Sequence, residues 1–279
     1  MVIKIPLSSV KSVRYSILSL QQVNMAIPSL LIRVAAVIGL VSVILYNFGF
    51  PIDLLNFSSV GDYAPGNPGV CQQAEKLSPK NKQAEEFVRS KVESPDYQKE
   101  VISKLSGLIR IPSETYDELG PIGQDPRWDV FYQIEDYLKT HYPVVFKTVK
   151  LDHANTHGLI LTWEGSVPAS VAKPILMIAH QDVVPVLADT VGDWTYPPYE
   201  GHFDGELVWG RGATDDKGYL VSIIESVDLL IKSGFRPKRT VILAFGCDEE
   251  ISGENCGRPI SDFLHARYGD DGIYLLMDE

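Results

Sequence analysis

Apolar and polar residues alternate along the last two thirds of the chain in stretches that predict helices and strands in turn. Apolar positions recur at helical spacing in Pro95–Arg110 and in Trp128–Thr140. Short apolar runs, which are typical of strands, occupy Val144–Val149, Leu159–Trp163 and Ile175–Ala179. The first part of the domain therefore contains both kinds of element.

The C-terminal part continues this alternation. A long amphipathic helix is predicted over Lys217–Lys232, and Gly234 follows it at the position that favours a helix C-cap. The apolar strand Val241–Phe245, a helix near Ile260–Arg267 and a last strand over Ile273–Met277 complete the pattern. Strands that are apolar on both faces and alternate with helices are typical of an α/β domain with a largely parallel central sheet.

The N-terminus carries a different pattern, which predicts a membrane anchor. Residues 29–50 are almost wholly apolar, and about 20 apolar residues suffice to span a bilayer as a helix. Lys4 and Lys11 precede this run, whereas no acidic residue occurs before Asp53. Because basic residues favour the cytosolic side, we expect a cytosolic tail over residues 1–28 and a type II signal anchor. The domain would then be lumenal, in a vacuole- or lysosome-like compartment, or extracellular.

A cleaved signal peptide and a buried core helix are the alternative interpretations of residues 29–50. The length of the run and the absence of a small-x-small cleavage site argue against a signal peptide. A continuous apolar run at the extreme N-terminus argues against a core helix. Proline and glycine are frequent over residues 51–95, which predicts a stem or linker before the domain of residues 96–279.

Charge and cysteine content exclude some classes of function. The chain has 279 residues and a formal net charge of −11. This charge argues against a nucleic-acid partner, because phosphate binding needs a basic face. Cys71, Cys247 and Cys256 are too few and too scattered for a disulfide scaffold or a thiolate zinc site. The sequence leaves open whether Cys247 and Cys256 form a single bridge.

Acidic residues and one histidine follow the predicted strands, where ligands of parallel sheets bind. His180 ends one strand and Asp182 comes two residues later. A neutral imidazole is a good zinc ligand, and a nearby carboxylate fixes its tautomer by accepting the other ring proton. Taken alone, a hydrogen-bonded histidine at a strand end is the simpler interpretation of this pair.

A second group of polar residues opens the predicted helix over 217–232. Gly210 and Gly212 permit a close approach of the main chain, and Asp215 and Asp216 follow them. Carboxylates at a helix N-terminus ordinarily act as caps, which accounts for one of the two. A carboxylate has two oxygens, so the other one suits a bridge between two metal ions.

A third group, Asp248, Glu249 and Glu250, follows a buried strand directly, and Asp278 and Glu279 follow the last strand. Three adjacent carboxylates repel one another, which is costly without a nearby cation. A solvated loop is the alternative. Because all the groups fall at one edge of the predicted sheet, they predict a metal site of imidazole and carboxylates, which suits zinc, with cobalt or manganese as alternatives.

The order of these motifs resembles the family of zinc-dependent exopeptidases and deacylases that includes carboxypeptidase S, aminoacylase and succinyl-diaminopimelate desuccinylase. The resemblance runs from about residue 97 to the end, and the N-terminal anchor with the His157-Gly158-Leu159 strand is most similar to the carboxypeptidase S branch. The matching motifs are His180-x-Asp182 with Val-Val-Pro after it, Trp194, Pro197-Pro198, Glu200-Gly201, the Gly-Arg-Gly-x-x-Asp-x-Lys string of residues 210–217, and Asp248-Glu249-Glu250.

The resemblance implies a site with two zinc ions. It makes His180 a ligand of one zinc, Asp215 the bridge between both, and Glu250 a ligand of the second. Glu279 would complete the first zinc, with Asp278 as the alternative.

The resemblance also implies the reaction. Glu249 would be the general base, and Asp182 would orient the zinc-binding histidine. The implied function is release of a C-terminal amino acid from a short peptide, and hydrolysis of an N-acyl amino acid is the alternative within the enzyme class.

One departure from the family affects what this chain is expected to do. Family members take a further histidine ligand from far downstream and carry an inserted lid domain, which this sequence does not contain. The histidines outside the matching motifs are His141, His153, His157, His202 and His265. We therefore expect a fragment, a truncated gene model or a degraded copy, with weak or absent activity and an exposed, aggregation-prone sheet edge. A non-catalytic, membrane-tethered remnant is the alternative outside the enzyme class.

Overall fold

The computed structural model describes residues 2–4, 75 and 77–278. Residues 2–4 and 79–278 belong to one compact unit. The predicted transmembrane helix over residues 29–50 lies outside the described residues, as does most of the predicted linker. Within the part that is described, none of the helices has the length and apolar character that a membrane crossing requires. The signal anchor stays a prediction.

The described part of the chain contains six α-helices, several of which begin at sequence features that favour a helix N-terminus. The side chain of Asn81 accepts a hydrogen bond of 3.0 Å from the main-chain N–H of Ala84, and prolines open two other helices. The helices are α1 (Lys82–Val92), α2 (Pro95–Ile109), α3 (Val130–His141), α4 (Pro143–Thr148), α5 (Lys217–Lys232) and α6 (Gly257–Tyr268).

Eight strands in the described residues form two sheets. A small antiparallel sheet has the order β1-β6-β5, and a five-stranded sheet has the order β2-β3-β7-β4-β8. The strands are β1 (Val2–Lys4), β2 (Lys150–Ala154), β3 (Gly158–Trp163), β4 (Ile175–His180), β5 (His202–Phe203), β6 (Leu207–Trp209), β7 (Val241–Gly246) and β8 (Leu275–Met277).

The five-stranded sheet is mixed, so the prediction of a largely parallel sheet is correct only in part. Strands β7, β4 and β8 are parallel, whereas β2 and β3 form an antiparallel hairpin and β3 runs antiparallel to β7. Asn155 and Thr156 have φ angles of 45° and 74°, and they turn the chain back directly after β2. All residues of β3 are buried, and a strand that is apolar on both faces does not reveal its direction.

Helices cover both faces of this sheet. The larger core lies on the face covered by α2 to α5, and it includes Trp128, Phe131 and Leu220. The smaller core lies under α6 and includes Ile260 and Leu264. The sheet therefore lies between two layers of helices. The loops that carry the polar residues lie at the carboxyl ends of β4 and β7.

Two elements differ from the sequence-based expectation. The strand predicted over Val144–Val149 is wrong, because residues 143–148 form helix α4. Pro143 stands at the first helical position, where its fixed φ favours a helix, and Val145 is fully buried against the core. Residues 82–92 of the predicted linker form α1, which packs against α2 and α5.

Residues 2–4 at the N-terminus form a short strand. Val2–Lys4 pairs antiparallel with Leu207–Trp209, along the open edge of β6. This pairing places residues 2–4 beside β6. The cytosolic tail over residues 1–28 stays a prediction.

The last strand, β8, forms one edge of the large sheet. Its side chains are unusually exposed for apolar residues, with Leu275, Leu276 and Met277 at 47%, 52% and 42% of full exposure. An edge strand with such side chains offers unpaired main-chain groups beside an apolar surface. The exposed edge therefore exists in the structure, and its tendency to aggregate stays a prediction.

His157 is buried in the larger core, where its surroundings disfavour the protonated ring. Its ring centroid lies 5.7 Å from that of Phe131 and 4.6 Å from that of Tyr132. Only 3% of the residue is exposed, and burial lowers the pKa of the imidazole.

We expect His157→Phe to weaken the loss of stability in acid. Because the folded state binds the proton of His157 less readily than the unfolded chain, the free energy of unfolding falls as the pH drops below about 6.5. Asp129 and Glu135 oppose this effect and His153 adds to it. Melting temperatures from about pH 8 to pH 5 test the prediction, with His265→Gln as the exposed control. Equal slopes in wild type and His157→Phe would contradict it.

Candidate metal centre

Two parallel neighbouring strands place the candidate residues at one edge of the sheet. His180 at the end of β4 pairs with Gly246 at the end of β7, and the main-chain N–H of Gln181 donates to the Gly246 carbonyl at 2.8 Å. The segment after β4 therefore lies beside the acidic loop after β7. On the other side of β4, Met177 pairs with Met277, which brings Asp278 to the same edge.

The imidazole of His180 is buried and its ring nitrogens have different neighbours. Nδ1 lies 3.0 Å from the main-chain oxygen of Asp182 and 3.3 Å from its carboxylate. A carbonyl oxygen only accepts, so this contact assigns the ring proton to Nδ1. Nε2 lies 2.9 Å from Oδ1 of Asp215. With the proton on Nδ1, Nε2 and Oδ1 of Asp215 are both acceptors. Two acceptors 2.9 Å apart repel each other unless a second proton or a cation is present, so these two atoms fit a metal site.

Asp182 joins the strand end to the acidic loop. Its carboxylate is fully buried, and Oδ1 accepts from the main-chain N–H of Glu249 at 3.2 Å. Oδ2 accepts from the main-chain N–H of Glu250 at 3.1 Å and from the hydroxyl of Thr115 at 2.9 Å. Asp182 thus contacts the imidazole and also fixes the main chain that carries the two glutamates.

The two aspartates before α5 have different surroundings. Asp216 is buried, and its Oδ2 accepts from the main-chain N–H of His180 at 3.1 Å, which ties the start of α5 to the end of β4. Asp215 is about half exposed and faces the imidazole. Of the two, Asp215 has the geometry of a metal ligand.

Lys217, which belongs to the same motif, is buried away from the cluster. Its Nζ donates to the main-chain oxygens of Leu108 at 3.2 Å and Ile111 at 2.5 Å. Burial lowers the pKa of this amine to about 7, against the opposing charge of Asp182. Lys217 therefore connects the start of α5 to the end of α2, which is a structural role.

The three acidic residues after β7 divide in the same way. Asp248 is fully buried and accepts from the main-chain N–H groups of Asn255, of Cys256 at 3.0 Å and of Gly257 at 3.2 Å. It therefore fixes the loop before α6. A disulfide between Cys247 and Cys256 closes the same loop, so these sulfurs are not metal ligands.

Glu249 and Glu250 point to the imidazole instead. One ligand atom from each of His180, Glu249 and Glu250 lies within 4.8 Å of the other two. Burial and the nearby charge of Asp215 raise the pKa of the Glu250 carboxyl, although the imidazole opposes this. These crowded carboxylates and the adjacent imidazole nitrogen form a donor set that fits zinc.

The remaining candidates lie at the C-terminus. Asp278 is exposed and lines a cavity of about 600 Å³ together with His180 and Glu249. Glu279, the preferred candidate for the ligand at the chain end, lies outside the described residues.

Residues 113–115, which the sequence motifs did not identify, hold the segment that carries His180 and Asp182. The hydroxyl of Ser113 donates to the Gln181 carbonyl at 2.6 Å, and Val183 exchanges main-chain hydrogen bonds with Ser113 and Thr115 at 2.9 and 3.2 Å. Glu114 accepts from the main-chain N–H of Val186 at 2.8 Å. In the sequence these residues resemble an ordinary polar turn after α2.

Residues 176–278 match the model of the peptidase family M20/M25/M40. The chain therefore carries a domain of this family. The match confirms the predicted family. The matched region contains the ends of β4 and β7 and the candidate carboxylates from Asp182 to Asp278, whereas Glu114 and Glu279 lie outside it.

Similar proteins are longer than this chain. Over 218 residues it is 41% identical to carboxypeptidase S of Saccharomyces cerevisiae, a match that covers 77% of this chain and 37% of that protein. Over 180 residues it is 33% identical to an N-fatty-acyl-amino acid synthase/hydrolase of Bos taurus, a match that covers 62% of this chain and 34% of that protein. The chain thus spans about a third of the length of these relatives.

Solved structures confirm the fold. Human carnosine dipeptidase 1 superimposes with a TM-score of 0.52 at 16% identity, over 71% of this chain and 40% of that one. At this level of identity the similarity establishes an α/β architecture with a mixed central sheet.

Proposed function

We propose that this chain belongs to a two-zinc amide hydrolase that releases the C-terminal amino acid from short peptides. The observation that carries the proposal is the convergence of the imidazole of His180 with the carboxylates of Asp215, Glu249 and Glu250 at one sheet edge. The similarity to carboxypeptidase S supports the choice of substrate.

The residues can be given roles from their geometry. His180, Asp215 and Glu250 would hold the metal ions, with Asp215 between them and Asp278 as a further carboxylate at the same edge. When bound, a pair of zinc ions supplies a nucleophile at neutral pH and polarises the scissile carbonyl.

Glu249 is the proposed general base. Its carboxylate is about half exposed and lies 4.0 Å from Nε2 of His180, so it borders the site and still reaches solvent. In the proposed reaction Glu249 accepts a proton from the attacking water, the C–N bond breaks, and Glu249 returns the proton to the leaving amine. Asp182 accepts a hydrogen bond from the main-chain N–H of Glu249 and thereby fixes the main-chain position from which the Glu249 side chain extends.

A second candidate is the hydrolysis of N-acyl amino acids at the same centre. The cavity beside His180 is lined by apolar side chains that include Leu176, Ile260 and Leu264, a chemistry that suits an acyl chain. The similarity to the N-fatty-acyl-amino acid synthase/hydrolase supports this alternative. Both candidates use the same residues on an amide bond.

Metal content of the purified full chain tests the metal centre. We expect about one zinc per chain or more by mass spectrometry, and a loss of this metal in Asp215→Ala, because that variant removes the bridging carboxylate. Asp189→Asn, which changes an exposed carboxylate elsewhere, is the matched control. Equal zinc in wild type and Asp215→Ala would refute the assignment. Hydrolysis of dipeptides against N-acyl amino acids then separates the two candidate substrates.

A further inference from the structure

Thr115 is buried beside the candidate metal centre. It lies on a segment that is distant in sequence from the other residues of that centre. The residue is fully buried, and its hydroxyl donates to Oδ2 of Asp182 at 2.9 Å. It contacts neither the imidazole nor a candidate carboxylate ligand through a hydrogen bond that the structure shows. Its connection with the site therefore runs through Asp182.

Both oxygens of the Asp182 carboxylate accept hydrogen bonds, and the His180 ring lies close to one of them. An ionised carboxylate offers about four lone-pair sites. Glu249 N–H and the His180 ring lie 3.2 and 3.3 Å from Oδ1, while Glu250 N–H and the Thr115 hydroxyl lie 3.1 and 2.9 Å from Oδ2. The Thr115 contact is the shortest of the four. Without it, Oδ2 would keep one main-chain donor, and the carboxylate could rotate away from the imidazole.

Main-chain hydrogen bonds fix the position of Thr115, so its hydroxyl is directed to the Asp182 carboxylate. Its N–H donates to the Val183 carbonyl at 3.2 Å, and the Val183 N–H donates to the Ser113 carbonyl at 2.9 Å. The Ser113 hydroxyl in turn donates to the Gln181 carbonyl at 2.6 Å. These bonds hold residues 113–115 alongside the segment that carries His180 and Asp182.

We infer that Thr115 is a positioning residue of the metal centre. Its hydroxyl fixes the rotation of the Asp182 carboxylate. This carboxylate accepts from the main-chain N–H groups of Glu249 and Glu250 and lies 3.3 Å from Nδ1 of His180. Groups that orient metal ligands in this way commonly change metal affinity about 10- to 100-fold when they are removed. The inference rests on the proposed function, because it requires a metal at His180.

Two substitutions separate positioning from simple packing. Thr115→Val keeps the shape and removes the hydroxyl, whereas Thr115→Ser keeps the hydroxyl and removes a methyl group. If Thr115 only fills space, Thr115→Val is the milder change. If it positions Asp182, Thr115→Ser is the milder change for metal binding.

Zinc affinity of the full chain, measured by competition with a chelating dye, gives the first readout. We expect Thr115→Val to bind zinc about 10- to 100-fold more weakly than wild type, and Thr115→Ser to stay within about threefold. If Thr115→Val does not fold, Thr115→Ala against Thr115→Ser makes the same comparison.

Amide hydrogen exchange of the metal-free chain gives a second readout that needs neither metal nor activity. The main-chain N–H groups of Glu249 and Glu250 donate to Asp182, so we expect both to exchange faster in Thr115→Val than in wild type or Thr115→Ser. The amide of Asp189, an exposed residue in the short 3₁₀ helix Ala188–Asp193, should exchange equally in all three proteins.

The outcomes are distinguishable. Wild-type affinity for zinc in Thr115→Val, or an equal loss in Thr115→Val and Thr115→Ser, overturns the inference and leaves the proposed function standing. Wild-type protein that binds no zinc overturns both. Weak binding in Thr115→Val with rescue in Thr115→Ser supports the positioning role.

Discussion

Asp182→Ala is expected to destabilise the metal-free chain by about 3 to 5 kcal/mol and to abolish its zinc binding. The carboxylate is fully buried and accepts from the main-chain N–H groups of Glu249 and Glu250 and from the hydroxyl of Thr115. Alanine would leave these donors buried without an acceptor, and each unsatisfied donor costs about 1 to 3 kcal/mol. The variant also removes the carboxylate beside the His180 ring, so zinc binding should fail even where the chain still folds.

Urea unfolding of the metal-free proteins measures the loss of stability, and zinc competition measures the loss of binding. Asp182→Asn is the matched variant, because its amide keeps one acceptor oxygen but brings an N–H group towards donors. We expect it to lie between wild type and Asp182→Ala. Asp189→Ala controls for the removal of an exposed carboxylate. A loss below about 1 kcal/mol in Asp182→Ala would contradict the role given to this residue.

Much of the domain could be predicted because its strong patterns are local. The helix predicted over Lys217–Lys232 has those bounds in the structure, and the strands around Leu159, Ile175 and Val241 lie within a residue of their predicted limits. Residues that follow such strands necessarily meet at one edge where the strands are parallel. This geometry explains why His180 and the acidic loop could be placed together before any contact was known.

The sequence could not predict which of two neighbouring acidic residues faces the metal site and which one binds main-chain N–H groups. Asp248 and Glu249 are adjacent and chemically alike, yet Asp248 caps the loop before α6 whereas Glu249 faces the imidazole. Asp215 and Asp216 divide in the same way. Which member of a pair turns inward depends on main-chain donors that only the folded loop provides. The role of Thr115 was hidden for the same reason, since its partner lies on a distant segment.

Away from the metal centre, a buried ion pair joins α2 to α5. Nζ of Lys104 lies 2.8 Å from Oε1 of Glu225, and the side chains are only 6% and 7% exposed. The hydroxyl of Tyr97 donates to the other oxygen of Glu225 at 2.6 Å. Lys104 also lies 2.8 Å from Glu100, which is half exposed, and its charge lies 4.7 Å above the ring of Tyr142. Desolvated charges of this kind are costly as soon as one partner is missing.

Glu225→Leu is therefore expected to lower the free energy of unfolding by about 3 kcal/mol, because it leaves Lys104 buried with the half-exposed Glu100 as its remaining carboxylate partner. The double variant Lys104→Met with Glu225→Leu removes both charges, and we expect it to recover most of this loss. Urea unfolding of the two single variants and the double variant measures the coupling between the residues. A double variant no more stable than Glu225→Leu would refute the account. Zinc affinity should stay unchanged throughout, since these side chains share no hydrogen bond with the described metal-site residues, and this separates the stability of the helix layer from the chemistry at the sheet edge.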